Sequence, residues 1–249
     1  MLSKARIKYI KSLQLKKYRK QEQCFIVEGE KSVLELLRSD FDVVQLLATA
    51  EFLNRNEKSV QAFTGEVLEV STHALAAASE YNTNEDALAI VRMKVNQKPA
   101  IKPDSFVLML DDLRDPGNLG TILRIADWYG IDTIIASEET AEVYNSKVIQ
   151  SSMGSFTRVN IFYTNLAEFL SANSLPVWGA FLEGSNVHTV TFGKGGIVVI
   201  GNEARGISET VERFVTQRIT IPKYGHAESL NAAIATAVIC DNISRGTGN

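Results

Sequence analysis

The sequence predicts an α/β protein in two parts: a small α/β unit, then a larger unit built on a mostly parallel sheet with helices on both faces. Three observations predict it. Short apolar runs of strand length alternate with runs of helical periodicity along the chain. A stretch without periodicity, N-Q-K-P-A-I-K-P-D-S (96–105), carries two prolines and two lysines and reads as a linker. The runs beyond it begin with F-V-L-M-L, apolar on both faces as a strand covered on both sides must be. A length of 249 residues suits one large domain or two smaller ones, and 45% apolar with 22% charged residues describes an ordinary soluble globular protein.

In order, a basic helix opens the chain and C-F-I-V-E-G (24–29) is a buried strand. A helix follows with Val33, Leu34, Leu36 and Leu37 on its apolar side. V-V-Q-L-L-A-T (43–49) is a strand, A-E-F-L-N-R-N a short helix and V-L-E-V (67–70) a strand. T-H-A-L-A-A-A-S-E is a helix capped by Ser71 or Thr72, and 87–93 closes the unit. The expected organisation is 1–95, a linker at 96–105, and 106–249. In the second unit strands are expected at 105–112, 131–137, 158–163, 176–182, 196–201 and 218–222, with helices at 145–153, 165–173, 208–215 and 229–244. Another helix is expected from about Gly120.

Charge is unevenly spread. Eight of the 26 bases and none of the 29 acids lie between Lys4 and Lys20, which leaves 18 bases against 29 acids, a net of −11, in the remainder. Lys4, Arg6, Lys8, Lys11, Lys16, Lys17, Arg19 and Lys20 form this pole, with Tyr9 and Tyr18 among them. It reads either as a contact for RNA, through phosphates and stacking, or as an exposed helix face covering Ile7, Ile10 and Leu13. No run of eighteen apolar residues appears, so no membrane span is expected. The basic N-terminus has no apolar core or small-residue cleavage site, so it is not read as a secretory signal. Two cysteines give neither a disulfide framework nor metal-ligand spacing, and a reducing cytoplasm is the expected compartment.

Three stretches that each follow a strand carry the chemistry: D-P-G-N-L-G-T-I-L-R (115–124), I-G-N-E-A-R-G-I-S (200–208) and I-P-K-Y-G-H-A-E-S-L-N (221–231). Their glycines allow sharp turns or close backbone approach. Asn118, Asn202, Glu203, Ser229 and Asn231 place short polar groups where an apolar sheet ends, and parallel sheets bind ligands at that end. Ser229 and Asn231 also read as caps of the last helix. No dinucleotide fingerprint or phosphate loop is present, which argues against a nucleotide-dependent oxidoreductase. G-K-G-G (193–196) precedes a strand and reads as a turn. His73, His188 and His226 are too scattered for a metal site.

The three stretches, in this order, resemble the motifs of the TrmH (SpoU) family of RNA ribose 2′-O-methyltransferases. K-A-R-I-K-Y-I-K-S-L and F-I-V-E-G-E-K-S-V-L-E are similar to that family's substrate-binding extension, an L30e-like domain. The resemblance implies S-adenosylmethionine as methyl donor, a homodimer, and a C-terminal trefoil knot of a kind nearly absent elsewhere. It implies cofactor loops at Gly201, Ile221, Ser229 and Leu230, and catalytic or positioning roles for Asn118, Arg124, Glu203, Ser229 and Asn231. No metal is implied. Ribosomal RNA is favoured over transfer RNA by the extension, and a non-catalytic RNA-binding protein on the same scaffold is the further alternative.

The family resemblance makes Arg124 the base. A guanidinium hardly ever loses its proton. Arg124 is therefore expected to grip the phosphate beside the target ribose and stabilise charge developing on the ribose oxygen. It would stand about one turn into its helix, with Asn118 in the preceding loop and Glu203 holding one or the other.

Overall fold

The computed structural model describes residues 2–80 and 83–246. The chain divides into two compact units. One comprises Met1–Val95 with Tyr144–Thr157, the other Asn96–Val143 with Arg158–Asn249.

The first unit opens with two helices, α1 (Lys4–Ser12) and α2 (Lys16–Glu22), where the sequence predicts one. The break has a visible cause. Arg19 folds under, and its Nη1 donates to the carbonyls of Leu13 (3.1 Å) and Gln14 (2.7 Å) between the helices. Next come β1 (Cys24–Glu28), α3 (Glu30–Leu37), β2 (Val43–Ala48), α4 (Ala50–Arg55), the unforeseen short α5 (Glu57–Gln61), β3 (Glu66–Glu69), α6 (Thr72–Ala78) and β4 (Ala87–Arg92). Ser71, one of the two expected caps, accepts from the amide of Ala74. The sheet order is β1-β4-β2-β3, with β4 antiparallel to both its neighbours and β2 parallel to β3. Ile10 and Leu13 bury completely against Leu47, Leu75, Leu88 and Ile90, so the apolar side of the basic helix is core.

Helix α8 (Ser146–Ser152) follows the strand β6 (Thr133–Ala136) in the chain but packs in the first unit. The sequence reading placed all of 106–249 in the second. The physical reason is aromatic: Phe25 meets Tyr144 at 4.5 Å and Phe156 at 6.1 Å between ring centroids, and Phe41 meets Phe156 at 5.6 Å. Such rings bury large apolar areas, and strand–helix alternation does not say which sheet a helix will cover.

The second unit contains β5 (Phe106–Leu110), α7 (Pro116–Trp128), β6 (Thr133–Ala136), β7 (Asn160–Tyr163), α9 (Leu166–Ser171), β8 (Val177–Asn186), β9 (Gly196–Ile200), α10 (Glu209–Glu212), β10 (Gln217–Thr220) and α11 (Ala232–Gly246). Its six strands run in the order β10-β8-β9-β5-β6-β7, every neighbouring pair parallel. The central strands are fully buried, as their unbroken apolar sequences require. Because Leu110 pairs with both Ala136 and Ile200, the loops after β5, β6 and β9 leave the sheet side by side. Among the described residues, no helix is long and apolar enough to cross a membrane.

Candidate active site

At the carboxyl end of β5 the chain turns through an Asp-Asp pair. Asp111 is buried, and its carboxylate accepts from the amide of Ser208 at 2.7 Å, tying the second motif to the first. Asp112 adopts the left-handed conformation (φ 57°), which Asp and Asn tolerate better than other side chains. Its amide donates to Ser137 Oγ at 3.0 Å, and its carbonyl accepts from Asn202 Nδ2 at 2.7 Å.

Helix α7 begins at Pro116 rather than near Gly120. Asp115 is the cap, accepting from the amide of Asn118 at 2.7 Å, and Pro116 takes a first-turn position that needs no donor. Asn118 therefore lies in the first turn of the helix and not in a loop.

The second motif is a tight turn. Asn202 and Gly206 exchange both backbone hydrogen bonds, at 3.0 and 2.9 Å. The side-chain oxygen of Asn202 accepts from the amides of Ala204 and Arg205. The chain folds so closely that a Cβ on Gly201 would lie 2.2 Å from Gly206 C and 2.3 Å from Ile207 N. Gly201 is needed first for this self-approach. Glu203 stands exposed at the tip.

The three motifs meet in one relay. Asn231 caps α11, its Oδ1 accepting from the amides of Ala233 (2.9 Å) and Ile234 (3.3 Å). That fixes its amide orientation, so Nδ2 donates to Asn118 Oδ1 at 2.8 Å. Asn118 must then turn its own Nδ2 outward, and it donates to Glu203 Oε1 at 2.8 Å. Each amide is oriented by the one before, and the chain of dipoles runs from the positive end of α11 to a carboxylate.

The other expected residues fall outside the relay. Arg124 is exposed and two turns into α7; the six residues from Asn118 turn the helix to about 120° short of two whole turns, so it leaves the face of Asn118. Among the described residues it makes no hydrogen bond or ion pair, so Glu203 holds Asn118 and not Arg124. Ser229 is exposed and Leu230 half exposed, while Ile221 is half-buried just past β10. Of the two proposed caps of α11, only Asn231 acts as one.

At the basic pole Lys4, Lys8, Lys11, Lys16, Lys17 and Lys20 are exposed, and Arg6 is half-buried with its guanidinium on Gln45 Oε1. Arg19 is only 2% exposed, so it leaves the candidate RNA surface. The sequence reading missed Asp111, Asp112, Arg114 and Arg205. An acidic doublet straight after an apolar strand was the available signal for the first two. No group of three or more His, Cys, Asp or Glu residues is placed to hold a metal among the described residues.

A six-stranded parallel sheet with an amide–carboxylate relay at its carboxyl end, in a chain that also holds a small α/β unit, defines an α/β protein whose candidate site lies where sheets of this kind bind ligands. Residues 105–241 match the SpoU rRNA Methylase family, and residues 4–89 match the MRM3-like substrate binding domain. The chain belongs to the SpoU rRNA methylase family and is an RNA methyltransferase.

It is 30% identical over 240 residues to the 23S rRNA (guanosine(2553)-2′-O)-methyltransferase RlmP of Bacillus subtilis (strain 168), covering 94% of each chain. A solved structure assigned to the TrmH family of RNA methyltransferases, from Porphyromonas gingivalis, is 36% identical with a TM-score of 0.86, covering 98% of this chain and 99% of that one. The AdoMet-bound rRNA methyltransferase of Sinorhizobium meliloti is 28% identical with a TM-score of 0.87, covering 98% and 97%.

Proposed function

We propose that this protein transfers the methyl group of S-adenosylmethionine to a ribose 2′-oxygen in ribosomal RNA, acting in the cytoplasm as a homodimer with a knotted C-terminal region. The observation that carries the reading is the Asn231–Asn118–Glu203 relay at the carboxyl end of the parallel sheet. Ribosomal RNA is preferred to transfer RNA because the relative named for a 23S rRNA 2′-O-methylation matches across both units.

The residues at hand suit the cofactor. Among the described residues, no backbone group of 222–230 hydrogen-bonds to another backbone group, which leaves a row of donors and acceptors for a ligand. Ile221 and Leu230 flank that row with apolar surface for an adenine ring, and Gly201 and Ser229 border it. S-adenosylmethionine supplies the electrophilic methyl group when bound.

The protein's part is orientation and electrostatics. Asn231 and Asn118 hold Glu203 in one position, where its carboxylate can accept a hydrogen bond from a ribose hydroxyl. Arg124, unpaired among the described residues, is the group available to a phosphate and to charge developing on the ribose oxygen. Exposed apolar side chains on α7 and α11 support the dimer. Trp128 on α7 is 84% exposed and Ile234 on the adjoining α11 is 54% exposed, more apolar surface than a lone helix pair needs in water.

The test is mass mapping of ribosomal and transfer RNA from cells with and without the protein, together with single-turnover methylation. A lost 2′-O-methyl mark in ribosomal RNA is expected, with turnover at least about a hundredfold lower for Arg124→Ala. Unchanged maps in both RNA classes would overturn the reading.

A further inference from the structure

Two arginines beside the relay, Arg114 just before the first motif and Arg205 within the second, converge on one carboxylate. Arg114 Nε donates to Asp112 Oδ1 at 2.7 Å, and Arg205 Nη2 pairs with Asp112 Oδ2. The acid is the shielded partner: its side chain is 17% exposed, against 62% for Arg114 and 67% for Arg205. Asp112 is itself fixed through the bonds of its amide to Ser137 and of its carbonyl to Asn202, and Asn202 also holds the amide of Arg205. The hub is thus anchored from three strand-end loops, those after β5, β6 and β9.

Two guanidiniums on one carboxylate leave one net positive charge. Each uses part of its fork inward. The remaining N–H groups, Nη1 and Nη2 of Arg114 and Nε and Nη1 of Arg205, have no partner among the described residues. Isolated surface arginines lose side-chain freedom when they bind; these two are already held. Their position is set by sequence: Arg205 is two residues from Glu203, and Arg114 directly precedes the cap of the helix that carries Asn118.

We propose that Arg114 and Arg205 form a phosphate clamp, ordered by Asp112 as a positioning residue, that grips an RNA phosphodiester beside the relay. The proposal rests on the methyltransferase reading for its partner, but it is read out by binding alone. A phosphodiester presents two acceptor oxygens, which matches two forks presented side by side. The other anion that visits such a site is the cofactor's carboxylate, and the experiment separates the two.

The probe is in-vitro-transcribed 23S ribosomal RNA, titrated with the full-length protein across salt concentrations. S-adenosylhomocysteine binding is followed by calorimetry on the same proteins. Arg114→Gln together with Arg205→Gln is expected to weaken RNA binding about tenfold, the scale of one lost charge-assisted contact. The slope of log affinity against log salt should fall by about 0.7–0.9. Cofactor affinity should stay unchanged.

Asp112→Asn is the sharper variant, because Asn tolerates the left-handed backbone at least as well and its fold is checked by thermal melting. It adds one net positive charge. If the arginines merely attract RNA, binding tightens; if Asp112 orders a clamp, binding weakens despite the added charge. An unchanged salt slope in the double variant, tighter RNA binding by Asp112→Asn, or weaker cofactor binding in the arginine variants each overturns the proposal. Failure of the wild type to methylate any RNA would count against the methyltransferase reading and leave these binding comparisons standing.

Discussion

Reversing the polarity of the relay tests its construction directly. Asn118→Asp replaces the amide that donates to Glu203 with a second carboxylate, at a contact now 2.8 Å long. Two unit charges about 4 Å apart repel by about 1 kcal/mol in water and about 4 kcal/mol at the screening typical of a protein surface. Both groups see solvent, so about 1–2 kcal/mol is the appropriate figure, with about 1 kcal/mol more for the lost hydrogen bond. An acid in the first turn of α7 returns about 0.5 kcal/mol through the helix dipole.

Repulsion therefore wins, and the single variant should be less stable by about 1.5–2.5 kcal/mol, a fall of roughly 3–10 °C in Tm. Adding Glu203→Gln restores a donor in the opposite direction, while Asn231 Nδ2 keeps its acceptor. The double variant should recover most of the loss in thermal melts, with a coupling near 1–2 kcal/mol. A double variant no more stable than Asn118→Asp alone would refute the reasoning, because the relay would then not exist in solution.

Other perturbations separate neighbouring roles. Gly201→Ala drives a Cβ into backbone 2.2 Å away and should cost at least about 2–3 kcal/mol, whereas Gly206→Ala meets open space at φ 70° and should cost about 1 kcal/mol; the reverse order in urea unfolding would discredit the turn geometry. Arg19→Ala uncovers the carbonyls between α1 and α2 and should cost about 2 kcal/mol with the RNA salt slope unchanged. Lys17→Ala should do the opposite, leaving stability alone and lowering the slope by about 0.7–0.9. Burial pushes the Cys240 thiol up to about 12 from an ordinary value of 9.0. The unfolded thiol therefore ionises first, and stability that is complete below pH 9 is lost as pH rises toward 12, by about 1.4 kcal/mol per unit. Urea melts between pH 8 and 10.5 should show this slope in the wild type and lack that contribution in Cys240→Ala.

What the sequence made legible and what it hid have separate physical sources. The strands of the second unit were readable because burial on both faces demands unbroken apolar runs, and F-V-L-M-L or G-I-V-V-I has no other use. Asn118, Glu203 and Asn231 were readable as a set through motif resemblance, and the structure joins them by two hydrogen bonds. The start of α7 was misplaced because Asp-Pro-Gly-Asn serves equally as a turn and as a cap followed by proline. Arg19 was misassigned because an arginine that binds carbonyls inward has the same spacing as one that faces solvent. Asp112 and its two arginines were missed because their meeting depends on a left-handed residue and on a partner 93 residues away.

The aromatic seam around Phe25, Phe41, Tyr144 and Phe156 bears on how this architecture can be rearranged. The chain crosses between its units three times, after Val95, Val143 and Thr157, instead of once. A fragment cut at residue 95 would carry the first sheet without part of its hydrophobic cover, so the first unit cannot be transplanted as one contiguous cassette. Exchanging the first unit between two such proteins means exchanging two segments together, and insertions or deletions in 144–157 are constrained by packing within that unit.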